Sequence, residues 1–359
     1  MGKAQNIIFE DVELIISRIK NTLKLLEGKK ILVTGAAGLI PSYFLDTIYL
    51  LNKKYFTKKC ELTAYNHHNI DENNRLFYLK GDKNIFFKTV DVSKAYEIEA
   101  GYDYIIHAAS KASPGDYIKN PIETIDANVK GSETILKYML KNQVKSYLYL
   151  SSGEIYGNPP SEMIPTRESY IGSTNHLSER SCYVESKRFS ETMAINYFKK
   201  YNIPVKLVRP VHVYGPGIRL NDGRVWAHFI KNAYEGKAIT ILSDGKASRG
   251  FCYISDAMVQ LWDVLLLGKN GQVYNIGNDS EEISIKELAK IIAELFDKNI
   301  RISIENRDVL YLKDSPRRSC PNMTKTFTEF DLKNKISIKE GLERTIKWVK
   351  LFYKTNHYD

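Results

Sequence analysis

Residues 29–41 read KKILVTGAAGLIP, and this stretch decides the fold. The apolar run that ends at Thr34 is typical of a buried strand, and Gly35 and Gly38 follow it directly. Glycines allow a sharp turn from a strand into a helix and a close approach of the backbone to a ligand. The N–H groups at the start of that helix favour negative charge. The stretch therefore predicts a strand, a turn and a helix that bind the pyrophosphate of a dinucleotide.

Two positions depart from the usual pattern of such a turn. Pro41 replaces a third glycine, which is tolerated because proline fits the first turn of a helix. The second predicted strand ends at Asn66, where an acidic residue would grip the ribose hydroxyls of NAD. Asn66 can hydrogen-bond a ribose, but a neutral residue also tolerates a 2′-phosphate. NAD is the expected cofactor and NADP stays open, with Asp91 and Val92 expected beside the adenine.

Short apolar runs alternate with longer amphipathic stretches over the first part of the chain. This alternation predicts an α/β fold of the Rossmann type, a doubly wound parallel sheet with helices on both faces. After about Pro210 the elements become shorter and turns more frequent, which predicts a smaller C-terminal α/β lobe for the substrate. The predicted strands are 30–34, 61–65, 85–90, 103–107, 146–151 and 205–209.

The chain divides into three predicted parts. Apolar residues at helical spacing over 9–27 predict a helical extension over residues 1–28. Residues 29–210 form the dinucleotide-binding domain. Residues 211–359 form mainly the substrate-binding lobe, although such lobes often exchange elements with the main domain.

Composition narrows the class of protein. The net charge of +10 comes from lysines spread along the chain, so a solvated surface is a better explanation than nucleic-acid binding. No apolar run approaches the roughly 20 residues of a membrane helix. The four cysteines contain no CxxC pair, which predicts no metal site, no disulfide framework and a cytoplasmic location.

Four residues suggest acid–base chemistry. Tyr183 and Lys187 are four positions apart, so on a helix they share a face, and an ammonium beside a tyrosine is expected to lower the tyrosine pKa. The apolar run 147–150 is followed by Ser152 and Glu154, at the sheet edge where α/β proteins bind ligands. A hydroxyl, a tyrosine base and a carboxylate are the groups that remove a proton from a sugar alcohol while hydride leaves.

The order of motifs resembles one family. TGAAGLI, IIHAAS, SSGEIYG, YxxxK and VYGPG follow one another as in the extended short-chain dehydrogenases of the NAD-dependent nucleotide-sugar epimerase/dehydratase superfamily, over about residues 29–353. Within it, three stretches are similar to UDP-glucuronate decarboxylases: 107–132, 179–193 and 221–230. The resemblance implies a nucleotide-sugar substrate, UDP-linked by preference, and a homodimer that pairs through helices around 119–142 and 180–201.

The resemblance also implies a role for each matching residue. Tyr183 would be the base, Lys187 its partner on the nicotinamide ribose, Ser152 the donor to the sugar 4-hydroxyl and Glu154 the carboxylate of decarboxylases and dehydratases. The cofactor residues would be Gly35, Gly38, Leu39, Ile40, Asn66, Asp91, Val92, Ala108, Ala109, Lys111, Asn128, Tyr183 and Lys187. The substrate residues would be Ser113, Glu154, Arg180, His212, Arg219, Arg224, Arg249 and Arg318.

The reaction implied is oxidation at sugar carbon four, giving a 4-keto intermediate. Decarboxylation of UDP-glucuronate to UDP-xylose or its 4-keto form is the preferred outcome. A nucleotide-hexose 4,6-dehydratase or a 4-epimerase is the alternative, and a non-catalytic cofactor-binding scaffold is a remote one.

Three positions depart from the decarboxylase pattern. Ser319 stands where decarboxylases carry an arginine, with Arg318 one residue away, and the sequence leaves open whether a small loop shift brings the Arg318 guanidinium to that place. His212 replaces an asparagine before VYGP. Gly153 stands where glucose dehydratases usually carry an aspartic acid, which argues against that subfamily.

Overall fold

The computed structural model describes residues 2–19, 22–99, 101–296, 299–305, 307 and 315–355. A seven-stranded, all-parallel sheet forms its centre. Across the sheet the strands are Ile85–Thr89 (β3), Glu61–Asn66 (β2), Lys30–Thr34 (β1), Tyr104–His107 (β4), Ser146–Leu150 (β5), Val205–Pro210 (β6) and Gln272–Ile276 (β11).

The strand order confirms the Rossmann-type prediction. The order 3-2-1-4-5-6 is that of doubly wound dinucleotide-binding folds, and here a seventh parallel strand extends it. Each of the six predicted strands lies within one residue of an observed one. The sequence missed β11, a short edge strand flanked by turns, and this strand crosses the boundary predicted at residue 210. The division of the chain into domains stays a prediction.

Side chains of the central strands alternate between two cores. Ile31 and Val33 of β1 pack into the larger cluster of buried residues, and Leu32 between them packs into a second cluster. Successive side chains of a strand point to opposite faces, so both faces of the sheet are covered.

Helices cover these faces, and their starts follow from the sequence. Proline occupies the first position of two helices, Pro114 and Pro121, where its missing N–H costs nothing. The helices are Lys3–Ile19 (α1), Leu39–Lys54 (α2), Pro114–Lys119 (α3), Pro121–Met139 (α4), Ser181–Tyr201 (α5), Val225–Tyr234 (α6), Ile254–Leu267 (α7), Ile285–Leu295 (α8), Thr324–Phe330 (α9) and Ile338–Thr355 (α10).

The N-terminal helix corrects one prediction. The periodicity over 9–27 predicted a single helix, but α1 ends at Ile19 and a single 3-10 turn follows at Leu23–Leu25. Leu23 and Leu26 are buried from that turn, which explains why the apolar pattern continues beyond the helix. The helix packs against α2, α7 and α10.

Small sheets lie beside the carboxyl ends of the central strands. The three-stranded sheet has the order β12-β9-β14, and two further pairs are β7 with β10 and β8 with β13. These strands are Val213–Tyr214 (β7), Ile239–Ile241 (β8), Ser248–Gly250 (β9), Cys252–Tyr253 (β10), Glu282–Ser284 (β12), Ile302–Ile304 (β13) and Arg318–Ser319 (β14). Within the described ranges, no helix has the length and apolar character needed to cross a membrane.

Candidate active site

A cleft of about 2780 Å³ lies at the carboxyl edge of the central sheet. Its walls include residues that follow β1, β2, β4 and β5 on one side and residues of β9 and β14 on the other. Ligands of doubly wound sheets bind at this edge. We call the first side the sheet wall and the second side, formed by residues 211–251 and 315–321, the lobe wall.

The glycine turn forms one end of the sheet wall. Gly35 has φ +69°, and a Cβ placed on it would lie 2.7 Å from the backbone of Ala109. A side chain at this position is therefore excluded by backbone geometry and by the neighbouring loop. Gly38 caps α2, whose first turn at Leu39 and Ile40 lines the cleft. The helix N-terminus thus faces the cleft and favours a bound phosphate.

Of the other predicted cofactor residues, all but Asn128 line the cleft. Asn66 lies at the end of β2, where its Oδ1 accepts from the Ala37 N–H at 3.4 Å and its Nδ2 donates to the His68 carbonyl at 2.7 Å. Asn128 does not line the cleft and instead donates to the Ser186 hydroxyl at 2.8 Å. The remaining members line the cleft: Asp91, Val92, Ala108, Ala109 and Lys111.

Tyr183 and Lys187 lie together on α5, and both are buried against the cleft. The Lys187 Nζ donates to the Leu150 carbonyl at 2.7 Å and lies 5.8 Å from the centre of the Tyr183 ring. Ser152 follows β5 and hydrogen-bonds with the Tyr183 side chain. The structure therefore brings together the hydroxyl, the phenol and the amine that the spacing predicted.

Burial dominates the titration of this pair. It raises the pKa of Tyr183 to about 12, against the hydrogen bond from Ser152, and lowers the pKa of Lys187 to about 7. The prediction that the ammonium lowers the tyrosine pKa is wrong for the chain by itself, because desolvation disfavours both charged forms. In the chain by itself, Tyr183 is therefore protonated at neutral pH.

Glu154 lies in a short 3-10 segment, Gly153–Tyr156, that contacts α5 near Tyr183 and Lys187. Its carboxylate forms an ion pair with the Arg180 guanidinium, which lies 5.9 Å from the centre of the Tyr117 ring. That ring stacks on Tyr183 with centres 4.9 Å apart and an angle of 9°. The sequence analysis did not single out Tyr117, although it lies within the stretch 107–132 that carries the resemblance.

Arginines and a serine extend the site along the lobe wall. Arg249 on β9 is buried, its guanidinium donates to the Ser248 carbonyl at 2.7 Å, and burial lowers its pKa to about 10. Arg224 precedes α6 and lies 3.4 Å from Asp222. Arg219 and Ser113 also line the cleft.

Two of the three departures from the decarboxylase pattern, His212 and Ser319, are in contact. The His212 Nε2 lies 3.0 Å from the Ser319 hydroxyl. Burial, with the arginines at 249, 224 and 180, holds the pKa of His212 well below its usual range, so the imidazole is neutral. The backbone of His212 has φ +44°, a conformation that costs about 1 kcal/mol or more for a residue with a side chain.

Arg318 lines the cleft, and an acidic residue of the lobe binds its guanidinium. Its Nε lies 2.8 Å from one Glu282 oxygen and its Nη2 lies 2.8 Å from the other, and its Nη1 donates to the Ile164 carbonyl at 3.3 Å. A two-pronged ion pair therefore holds the guanidinium on β12.

These residues fit NAD. A glycine turn and helix N-terminus suit its pyrophosphate, an asparagine amide at the end of β2 suits its adenosine ribose, and a buried lysine beside a tyrosine suits its nicotinamide ribose. The hydroxyl groups of Ser110 and Ser151 line the cleft and are buried without a hydrogen-bond partner among the described residues, so they can accept or donate to a bound cofactor.

Comparison with known proteins agrees with this site. Residues 31–277 match the model of the NAD dependent epimerase/dehydratase family. UDP-glucuronic acid decarboxylase 6 of Arabidopsis thaliana is 32% identical over 327 residues, which cover 91% of this chain and 90% of that protein.

Solved structures share the fold. A double mutant of DesIV, the dTDP-glucose 4,6-dehydratase of Streptomyces venezuelae, matches with a TM-score of 0.77 and 23% identity over 90% of this chain and 98% of its own. A mutant UDP-glucuronic acid 4-epimerase of Bacillus cereus matches with a TM-score of 0.76 and 22% identity over 90% and 100%. Both were solved with NAD bound. The chain belongs to the NAD-dependent epimerase/dehydratase family, and its cofactor is NAD.

Proposed function

We propose that this enzyme removes carbon dioxide from UDP-glucuronate through a 4-keto sugar intermediate. The observation that carries the proposal is the position of Glu154, two residues after Ser152 and ion-paired with Arg180 beside Tyr183. The relative from Arabidopsis thaliana, which is aligned over nearly the whole chain, is a UDP-glucuronic acid decarboxylase.

The first step is oxidation of the sugar at carbon four. Ser152 hydrogen-bonds the 4-hydroxyl, Tyr183 takes its proton, and the Lys187 ammonium stabilises the tyrosinate. NAD supplies the hydride acceptor when bound. Burial alone leaves Tyr183 protonated at neutral pH, so loss of its proton would be favoured by the positive nicotinamide ring of bound NAD.

Loss of carbon dioxide follows from the chemistry of the 4-keto sugar. The carboxylate on carbon five is beta to the new ketone, so the bond to carbon six can break and leave its electron pair on the ketone as an enolate. A proton then adds at carbon five, the hydride returns to carbon four and Tyr183 returns its proton to the oxygen there, which gives UDP-xylose with no net change of redox state. Glu154 and Arg180 lie beside the reacting tyrosine and are placed to orient the carboxylate and handle the carbon-five proton.

The nucleotide diphosphate binds along the lobe wall. Arg249 is buried, and in the described part of the chain its guanidinium bonds carbonyl and hydroxyl groups, not a carboxylate, so it retains charge for an anion. Arg219 and Arg224 line the same wall. Guanidinium groups suit diphosphates because they donate two parallel hydrogen bonds.

A second candidate is 4,6-dehydration or 4-epimerisation of a nucleotide hexose. The observation that favours it is the contact of Ser319 with the neutral His212, where decarboxylases carry an arginine. A neutral pair at this position suits a sugar hydroxyl better than a carboxylate. In that reaction the oxidation by Tyr183 is unchanged, and only the step after the ketone differs.

The test is to incubate the purified protein and NAD separately with UDP-glucuronate, UDP-glucose, dTDP-glucose, GDP-mannose and CDP-glucose, and to follow the products by mass. We expect loss of carbon dioxide from UDP-glucuronate. The Tyr183→Phe variant, purified in the same way, controls for contaminating enzymes.

Other products would contradict the proposal in distinct ways. Loss of water from a hexose would replace decarboxylation with dehydration. A change of sugar configuration without a change of mass would indicate an epimerase. If no sugar nucleotide reacted while NAD remained bound, a scaffold role would be favoured.

We further propose that the enzyme works as a homodimer in the cytoplasm. Ile122 on α4 and Phe189 on α5 are 64% and 55% exposed, which leaves apolar surface on two helices that pack together. The four cysteines are free thiols, as suits a reducing compartment. Light scattering is expected to give twice the chain mass. Phe189→Asp is expected to give monomers, whereas Leu267→Asp, at a similarly exposed apolar position on α7, is not.

A further inference from the structure

A buried ion pair lies one helical turn beyond Lys187, on the same face of α5. Arg209 on β6 donates from Nε to one Glu191 oxygen at 3.0 Å and from Nη2 to the other at 2.7 Å. Each side chain is only 10% exposed. Two parallel bonds between buried charges fix the relative orientation of α5 and β6 more firmly than a surface ion pair would.

The third guanidinium nitrogen of Arg209, Nη1, binds the Gly153–Tyr156 segment, which carries Glu154. This nitrogen donates to the Tyr156 hydroxyl at 3.1 Å and to the Glu168 carbonyl at 3.0 Å. The Tyr156 hydroxyl in turn donates to Asn275 Oδ1 on β11 at 2.6 Å. One guanidinium therefore connects α5, the Gly153–Tyr156 segment and, through one hydroxyl, the edge strand of the sheet.

Glu191 also influences Lys187, which lies one helical turn earlier on α5. The carboxylate opposes the effect of burial on the lysine pKa. The other titratable groups around this amine are the Tyr183 phenol, the Tyr149 phenol, whose ring centre lies 5.0 Å from Nζ, and His107, whose pKa burial lowers to about 3. These three are neutral at physiological pH in the chain alone, since burial raises the pKa of both phenols.

We propose that Arg209 and Glu191 form a positioning pair: they fix α5 against the segment that carries Glu154, and they hold a carboxylate one helical turn from the lysine ammonium. Neither residue touches the substrate. The pair acts through the tyrosine and lysine, by geometry and by charge. The inference rests on the proposed oxidation at carbon four and is independent of the step that follows it.

The electrostatic part of the proposal is tested with Glu191→Gln, which preserves the shape of the side chain and removes its negative charge. Loss of a negative charge lowers the pKa of a neighbouring amine, so the ammonium is lost at a lower pH. We expect the alkaline fall of the oxidation rate to move toward lower pH. The loss relative to wild type should be about tenfold greater near pH 8.5 than near pH 6, the ratio that one pKa unit gives.

The assay follows NADH absorbance after rapid mixing of NAD-loaded enzyme with UDP-glucuronate. Absence of carbon dioxide release while NADH still forms would overturn decarboxylation and leave the positioning pair intact. Because Glu191→Gln leaves a buried guanidinium without its partner, the double variant Glu191→Gln/Arg209→Met is measured beside it. The double variant removes both charges, and we expect the same shift of the pH profile with a smaller loss of thermal stability.

The geometric part of the proposal is tested with Tyr156→Phe, which removes one hydroxyl group and no charge. We expect kcat to fall about fivefold with an unchanged pH profile, since a hydrogen bond of about 1 kcal/mol positions the Glu154 segment. Glu61→Gln, in the surface pair with Lys30 at the start of β2, is the control and should change neither kcat nor the profile. Wild-type pH profiles for Glu191→Gln and the double variant would overturn the electrostatic part of the proposal. A wild-type kcat for Tyr156→Phe would overturn the geometric part.

Discussion

The two walls of the cleft are built in different ways. The sheet wall takes its groups from the ends of neighbouring parallel strands and from one helix, so Ser152, Tyr183 and Lys187 are positioned by regular backbone. The lobe wall takes its groups from two-residue and three-residue strands and from the loops between them, including Arg249 and Ser319. In the regular elements, spacing along the chain determines which side chains lie together. In the lobe, contacts between distant segments determine it. The predictions below test this difference.

The largest effect is expected on the sheet wall. Tyr183→Phe should reduce turnover at least ~10²-fold, because it removes the base and leaves binding intact. The measurement is kcat for the nucleotide sugar, with NAD affinity from calorimetry. Tyr201→Phe is the matched control, since that tyrosine lies near the end of the same helix and is 46% exposed. Near-normal turnover of Tyr183→Phe would mean that another group is the base.

On the lobe wall, two arginines should behave differently. Arg249→Met is expected to raise KM for the nucleotide sugar about thirtyfold, the size of a lost charged hydrogen bond. Arg318→Met should raise it less than about threefold, because Glu282 already binds that guanidinium. The measurement is KM of both variants for the nucleotide sugar, from steady-state kinetics. A larger effect of the Arg318 change would show that this arginine leaves Glu282 when substrate binds.

The neutral contact of His212 and Ser319 should set preference between sugars. Ser319→Arg places a guanidinium where decarboxylases carry one, and we expect kcat/KM for UDP-glucuronate to rise about tenfold relative to UDP-glucose. Ser319→Ala, which only removes the bond to His212, should leave that ratio within about threefold. An unchanged ratio in Ser319→Arg would show that this position does not face the sugar substituent.

The smallest effect concerns stability. Burial lowers the pKa of Lys187 in the folded chain to about 7 from 10.5, so the unfolded chain binds more protons between these values and stability falls as pH falls through that window. Lys187→Met should therefore raise the melting temperature by a few degrees near pH 7 and by less near pH 10, while abolishing turnover. Melting curves at both pH values provide the measurement. A lower melting temperature of the variant near pH 7 would mean that the ammonium is well solvated or paired.

Residues close in sequence were predicted well. The run from Lys29 to Pro41 gave the first strand, the turn and the helix, and the four-residue spacing of Tyr183 and Lys187 placed both against the cleft. Spacing of this kind determines which side chains share a face once the element exists, so these positions follow from helix and strand geometry alone.

Contacts between distant segments could not be predicted in this way. The structure places Arg318 on Glu282, Ser319 on His212 and Glu191 on Arg209. It also places Asn128 on Ser186, away from the cleft. Each of these contacts depends on how separate elements pack against each other, and the spacing of residues in the sequence does not give the distance between such elements.

By itself, therefore, the sequence determined the Rossmann-type sheet, the dinucleotide turn and the identity of the tyrosine, lysine and serine, because local periodicity and turn chemistry suffice for them. Only the tertiary structure decided the electrostatics of the site. Burial raises the pKa of Tyr183 and lowers that of Lys187, against the expectation from their proximity, because the free energy of desolvation depends on everything packed around a group.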